Sequence, residues 1–114
     1  MTNQQEEIDE FKRYEFLAEN GHPTFQYFFS AAINAKDNYP ERLVQSLKWA
    51  LLAQYFEESQ AVDVVMFLQH KMTEEQIQKS YQLVEEWISG KFEITDEKEK
   101  AAWSQHLRAM IAGK

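Results

Sequence analysis

The chain contains no cysteine, and only three glycines and two prolines in 114 residues. Without thiols there is no disulfide framework, no thiol catalysis or redox work, and no cysteine-based zinc site. Gly21, Pro23, Pro40 and Gly90 fall at apparent joints between longer periodic stretches. Runs of alternating polar and apolar residues are missing, so no strand is predicted. Positive charge is scarce: 12 Lys and Arg stand against 19 Asp and Glu, for a net charge of −7. Nucleic acid and anionic membrane are bound through Lys and Arg that displace counterions, so neither is expected as a partner. The segment Met1–Glu7 is polar and acidic, unlike a secretory leader, which needs a basic start and an apolar run. The uncharged stretch His22–Ala35 is 14 residues long, below the roughly 20 needed to cross a bilayer. These features predict a soluble, cytoplasmic protein.

At this length one domain is expected, able to bury about two thirds of its unfolded surface without a staple. Hydrophobic periodicity predicts about six helices. The first runs from Gln4 to Ala18, with Ile8, Phe11, Leu17 and Ala18 inward, and Asn20-Gly21 is its stop signal. The second begins at Pro23, whose fixed dihedral suits a first turn, and ends near Ala35. Its apolar face reads Phe25, Phe28, Phe29, Ala32. Lys36–Pro40 is a turn-rich connector.

The third spans Pro40 to Phe56 and carries two apolar stripes, Val44-Leu47-Leu51-Tyr55 and Trp49-Leu52-Phe56, as a helix packed on two sides would. The fourth, Ser59 to His70, is apolar almost all round and is expected to be enclosed. The fifth starts at Thr73, where Thr73 and Gln76 are spaced for a capping box and Met72 and Ile77 for a hydrophobic staple. Gly90 is expected to end it. A sixth begins at Thr95 or Asp96, with Trp103, His106, Leu107, Met110 and Ile111 on one side, a pattern suited to a terminal cap or a homodimer contact.

Short connectors fold each helix back on the last. Leu17-Ala18 and Leu52-Ala53, Phe25 and Ala61, and Trp49 and Trp87 recur at offsets of 35, 36 and 38 residues. Periods in the middle thirties mark tetratricopeptide-type arrays. Lys36-Asp37-Asn38-Tyr39, followed by Leu43 to Ala53 with Trp49 and Leu51-Leu52-Ala53, resembles the second helix of a Sel-one-like repeat. Ala18-Glu19-Asn20-Gly21 with Phe25 and Phe28 is similar to that family's entry into a first helix, and Met72–Ile77 with Leu83, Glu86 and Trp87 to its closing helix. The resemblance covers about residues 17–88. The family's Gly-x-Gly-Val turn is replaced by Asn34-Ala35-Lys36, and a usual glycine by Glu58-Ser59. It implies an all-α fold of stacked antiparallel hairpins, with caps at 1–21 and 91–114 around a repeat-like core at 22–90.

No reactive constellation is visible. His22, His70 and His106 share no metal-ligand spacing. The pairs Glu57-Glu58, Glu74-Glu75 and Glu85-Glu86 point about 100° apart on a helix and do not converge. Nucleophile motifs and phosphate loops are missing. Neither enzyme activity nor a cofactor is therefore expected. The repeat likeness implies a protein or peptide partner on the first helix of each pair: Tyr27, Ser30 and Asn34 on the second helix, and Asp63, Phe67 and His70 on the fourth. Tyr39, in a polar turn, is added as a surface residue. A small acidic inhibitor or immunity protein, neutralising a toxin or nucleic-acid enzyme by charge complementarity, is the alternative.

Overall fold

A computed structural model describes residues 3–91, with side chains described from Asp9 onward, and the helical positions Lys98 and Gln105. Within residues 3–91 five helices follow in order: α1 (Asn3–Glu19), α2 (Pro23–Asn34), α3 (Arg42–Tyr55), α4 (Ala61–Lys71) and α5 (Glu74–Lys91). The fold is all-α and built of helical hairpins, as the periodicity predicts. Ile8, as an inward side chain of α1, and the expected sixth helix with Trp103, His106, Leu107, Met110 and Ile111 lie outside the described residues. Among the described residues, no helix is long and apolar enough to cross a membrane.

Helix ends follow local chemistry. Gly21 takes the left-handed backbone (φ 88°) after α1, and the amides of Gly21 and His22 return to the carbonyls of Ala18 and Leu17. This is the double-bonded helix stop that Asn20-Gly21 predicts. The same two bonds close α3, from Glu57 to Gln54 and from Glu58 to Ala53, but the left-handed position there is Glu57 (φ 71°). The capping box forms as expected: Thr73 N–H donates to Gln76 Oε1 at 3.0 Å, and Gln76 N–H to Thr73 Oγ1 at 3.1 Å. Gly90 does not stop α5. Its backbone is not left-handed, and the helix runs on to Lys91.

α3 is the central element. It packs against α2, α4 and α5, while α1 packs against α2. Serines allow two of these approaches. Ser30 Oγ on α2 donates to the Ser46 carbonyl on α3 at 2.7 Å, and Ser46 Oγ donates back to the Ser30 carbonyl at 2.9 Å. On the other flank, Ser80 Oγ of α5 reaches the Val44 carbonyl at 2.9 Å. Side chains this small bring helix backbones close, and their hydroxyls satisfy themselves on the opposing carbonyls. Between the seams lies the core: Phe29, Ile33, Leu47, Trp49, Leu51, Leu52, Leu68, Val84 and Ile88. Each such side chain contributes about 1.5–3 kcal/mol on full burial.

Two faces differ from the sequence expectation. On α2 the buried line is Gln26, Phe29, Ser30 and Ile33, a clean helical stripe. The expected stripe of Phe25, Phe28, Phe29 and Ala32 lies about one residue's turn away. The serine pair orients the helix, and Gln26 fixes it by donating its side-chain amide to the Ala18 carbonyl at 3.2 Å. The displaced Phe25 and Phe28 then pack sideways on Tyr14. The second correction is α4, which is not enclosed. Ala61, Val65 and Leu68 face inward, whereas Met66 and Phe67 remain 57% and 52% exposed.

A polar and aromatic junction ties the far end of α5 to α1. Trp87 Nε1 donates to Glu19 Oε1 at 2.9 Å, Trp49 meets Trp87 edge-on with ring centres 6.1 Å apart, and Lys91 lies over the Trp87 ring. Lys48 sits over Trp49 at 4.4 Å. Burial pushes the Lys48 ammonium below its ordinary pKa, partly countered by the carboxylates of Glu19 and Glu86.

Candidate interaction surface

Helix α2 turns Phe25, Tyr27 and Phe28 away from α3 and toward the outside of the α1–α2 hairpin. Tyr14 of α1 stands beside them. Ring centres fall 6.0 Å apart for Tyr14–Phe25, 5.8 Å for Tyr14–Phe28, 5.7 Å for Phe25–Phe28 and 5.7 Å for Tyr27–Phe28. Four rings thus form one continuous patch, with His22 edge-on against Phe25 at its rim. Phe28 is 37% exposed and the other three rings are half-buried. Phe29 and Ile33 line the core beneath; Tyr14 also packs on it, whereas Phe25, Tyr27 and Phe28 do not.

Carboxylates fringe the patch. Tyr14 donates its hydroxyl to Glu10 at 2.6 Å, and that bond, with lesser desolvation, raises the phenol pKa. Thr24, on the first turn of α2, donates to Glu58 Oε1 at 3.0 Å. The Gln60 backbone amide also donates to Glu58, which holds this carboxyl below its ordinary range. An aromatic surface with acids at its margin is suited to apolar and cationic side chains, since a cation is attracted both by a ring face and by a carboxylate.

The residues expected at the partner surface are scattered. Tyr27 belongs to the aromatic patch. Ser30 does not reach the surface: it has no exposed area, because its hydroxyl and carbonyl are both spent on Ser46. Asn34 is half-buried and occupied, its carbonyl and side-chain oxygen both accepting from Arg42 at 2.9 and 2.6 Å. Tyr39 is half-buried, with its ring 6.1 Å from Phe11, because the turn that carries it folds back over α1. Asp63, Phe67 and His70 are exposed together along the outside of α4. The principal partner of both α2 and α4 is α3. Phe25 and Phe28 read as core in the sequence because phenylalanine at helical spacing is more often buried. Only the serine at position 30, too small and polar for an outer contact line yet facing Ser46, carried a hint of the true orientation.

Among the described residues no group of three or more His, Asp or Glu is placed to hold a metal ion. His22, just before α2, and His70, on α4, are both exposed. No protein family, curated protein or solved structure matches this chain.

Proposed function

We propose that this chain is a non-enzymatic protein-interaction module, a divergent Sel-one-like pair of hairpins acting in the cytoplasm, which binds a protein or peptide on the aromatic face of α1 and α2. One observation carries the reading: Phe25, Tyr27 and Phe28, joined to the core-packed Tyr14, form an unbroken ring surface on the outside of the α1–α2 hairpin. Aromatic side chains of this kind supply contact area at low entropic cost and are enriched where proteins meet. The acid margin favours a partner segment that mixes apolar and basic side chains.

A photo-crosslinking side chain at position 28 tests this in cells. A discrete crosslinked protein should form, and Tyr27→Ala, at a ring that does not pack on the core, should reduce its yield while moving the melting temperature little. If position 28 yields no more product than the exposed position 82 on α5, the reading is wrong. The net charge of −7 supports a second reading, an acidic inhibitor of a basic protein. Once the partner is isolated, that reading requires affinity to fall steeply as salt rises through the physiological range, whereas binding driven by the rings is nearly indifferent to salt.

A further inference from the structure

Helix α4 is apolar on two opposite sides. Ala61, Val65 and Leu68 are buried toward α3. On the reverse side stand Asp63, Met66, Phe67 and His70, all exposed, with Lys71 beside them and its ammonium 4.4 Å over the Phe67 ring. The stripe has an order: an acid at the N-terminal end, two large apolar side chains at the centre, and an imidazole and an ammonium at the C-terminal end. Turned end for end, that order is complementary to itself. Asp63 then meets His70 and Lys71, and Met66 meets Phe67.

We infer that this stripe is a two-fold interface between two copies of the chain, with the symmetry axis crossing α4 between Met66 and Phe67. A two-fold contact uses the same patch twice, so it requires self-complementarity of this sort. Antiparallel helices about 8–10 Å apart place the end groups within reach of one another. The helix dipoles oppose, which adds attraction at both ends. An open depression of about 280 Å³, lined by Met66, Gln69 and His70, lies on the same face and can take the Phe67 ring of the second copy. The α1–α2 patch has no such reversed order of charge. The two surfaces are therefore independent, and this inference does not rest on the proposed partner binding. One pair of helices buries less than the roughly 1,200 Å² of a standard interface, so the dimer is weak and reversible.

Sedimentation equilibrium of the full chain from about 1 µM to about 1 mM, a range suited to small interfaces, is the test. The average mass should climb from that of a monomer toward twice that value. Phe67→Glu should remain monomeric throughout while keeping its helical circular dichroism and melting temperature. Asp63→Lys and Lys71→Glu should each weaken association about tenfold or more, as like charges face each other. The double variant Asp63→Lys/Lys71→Glu should recover most of the loss, because it exchanges the two ends. Because the chain has no native cysteine, Met66→Cys should oxidise to a covalent dimer, and Gln82→Cys should not. The inference fails if the native chain stays monomeric at the highest concentration. It also fails if Phe67→Glu still dimerises, or if the charge exchange restores nothing.

Discussion

Replacing Glu57 by glycine should make the protein more stable, although it removes a charged side chain and adds no contact. Glu57 occupies the left-handed backbone region (φ 71°) at the end of α3, in the same pair of return bonds that Gly21 forms after α1 (φ 88°). A residue with a Cβ is disfavoured in that region by about 1–2 kcal/mol. Glycine escapes the penalty but is more disordered when unfolded, which costs about 0.5–1 kcal/mol. The difference predicts a net gain of about 0.5–1 kcal/mol for Glu57→Gly. In a domain of this size that raises the melting temperature by roughly 2–4 °C. Gly21→Ala is the reciprocal case. A Cβ there meets nothing within 4 Å, so its cost is purely that of the backbone, about 1 kcal/mol. Urea unfolding followed by circular dichroism reads both, as opposite shifts in midpoint with unchanged slope. A midpoint for Glu57→Gly equal to or below that of the native chain, at the same slope, would refute the account of how α3 ends.

Ser30→Val should cost about 2 kcal/mol or more in urea unfolding, because the added methyls force α2 from α3 and the Ser46 carbonyl loses its donor; a change below about 0.5 kcal/mol removes the serine seam as an organising contact. Trp87→Ala should cost about 2–3 kcal/mol, less than for a fully buried indole, since the ring is half-buried and its N–H bond to Glu19 is near solvent. A larger loss than Trp49→Ala would contradict that ranking. Glu58 gives a pH signature. Its folded carboxyl lies below the ordinary value of 4.5, chiefly through the Gln60 amide and then Thr24, so its stabilisation is present above that value and lost as pH falls through the lowered one. Glu58→Gln should flatten the fall of the urea midpoint below about pH 4.5, and an acid limb identical to that of the native chain would remove Glu58 from the account.

The helices, their order and several of their ends were legible in the sequence because each depends on neighbours within a turn. Asn20-Gly21, Pro23 and the Thr73–Gln76 box are local instructions, and each acts as read. Orientation about the helix axis was less legible. Phe25 and Phe28 outweigh Ser30 and Gln26 in any reading by hydrophobicity, yet the two polar residues face inward, where the Ser30 hydroxyl and the Gln26 side-chain N–H find partners on other helices although the Gln26 oxygen finds none. Those partners lie 8 and 16 residues away along the chain. The same limit applied to α4, whose two apolar sides implied enclosure, while among the described residues Met66 and Phe67 on its outer side stay exposed. Of the seven residues expected to meet a partner, Asp63, Phe67 and His70 are exposed, Tyr27, Asn34 and Tyr39 are half-buried, and Ser30 is buried. Ser30, Asn34 and Tyr39 are drawn into contacts that only the folded chain creates.

Three helices lean on α3, and this sets how the molecule can lose structure. In an array where every element touches only the next, a terminal pair can be trimmed and the remainder stands as a shorter rod. Here, cutting after α3 would strip the cover supplied by Val84, Ile88 and Leu68 from Leu47, Leu51 and Leu52, all of which are fully buried in the intact chain. Residues 3–91 are therefore expected to unfold as one cooperative unit, with added residues tolerated at the connectors and not by removal of a terminal pair.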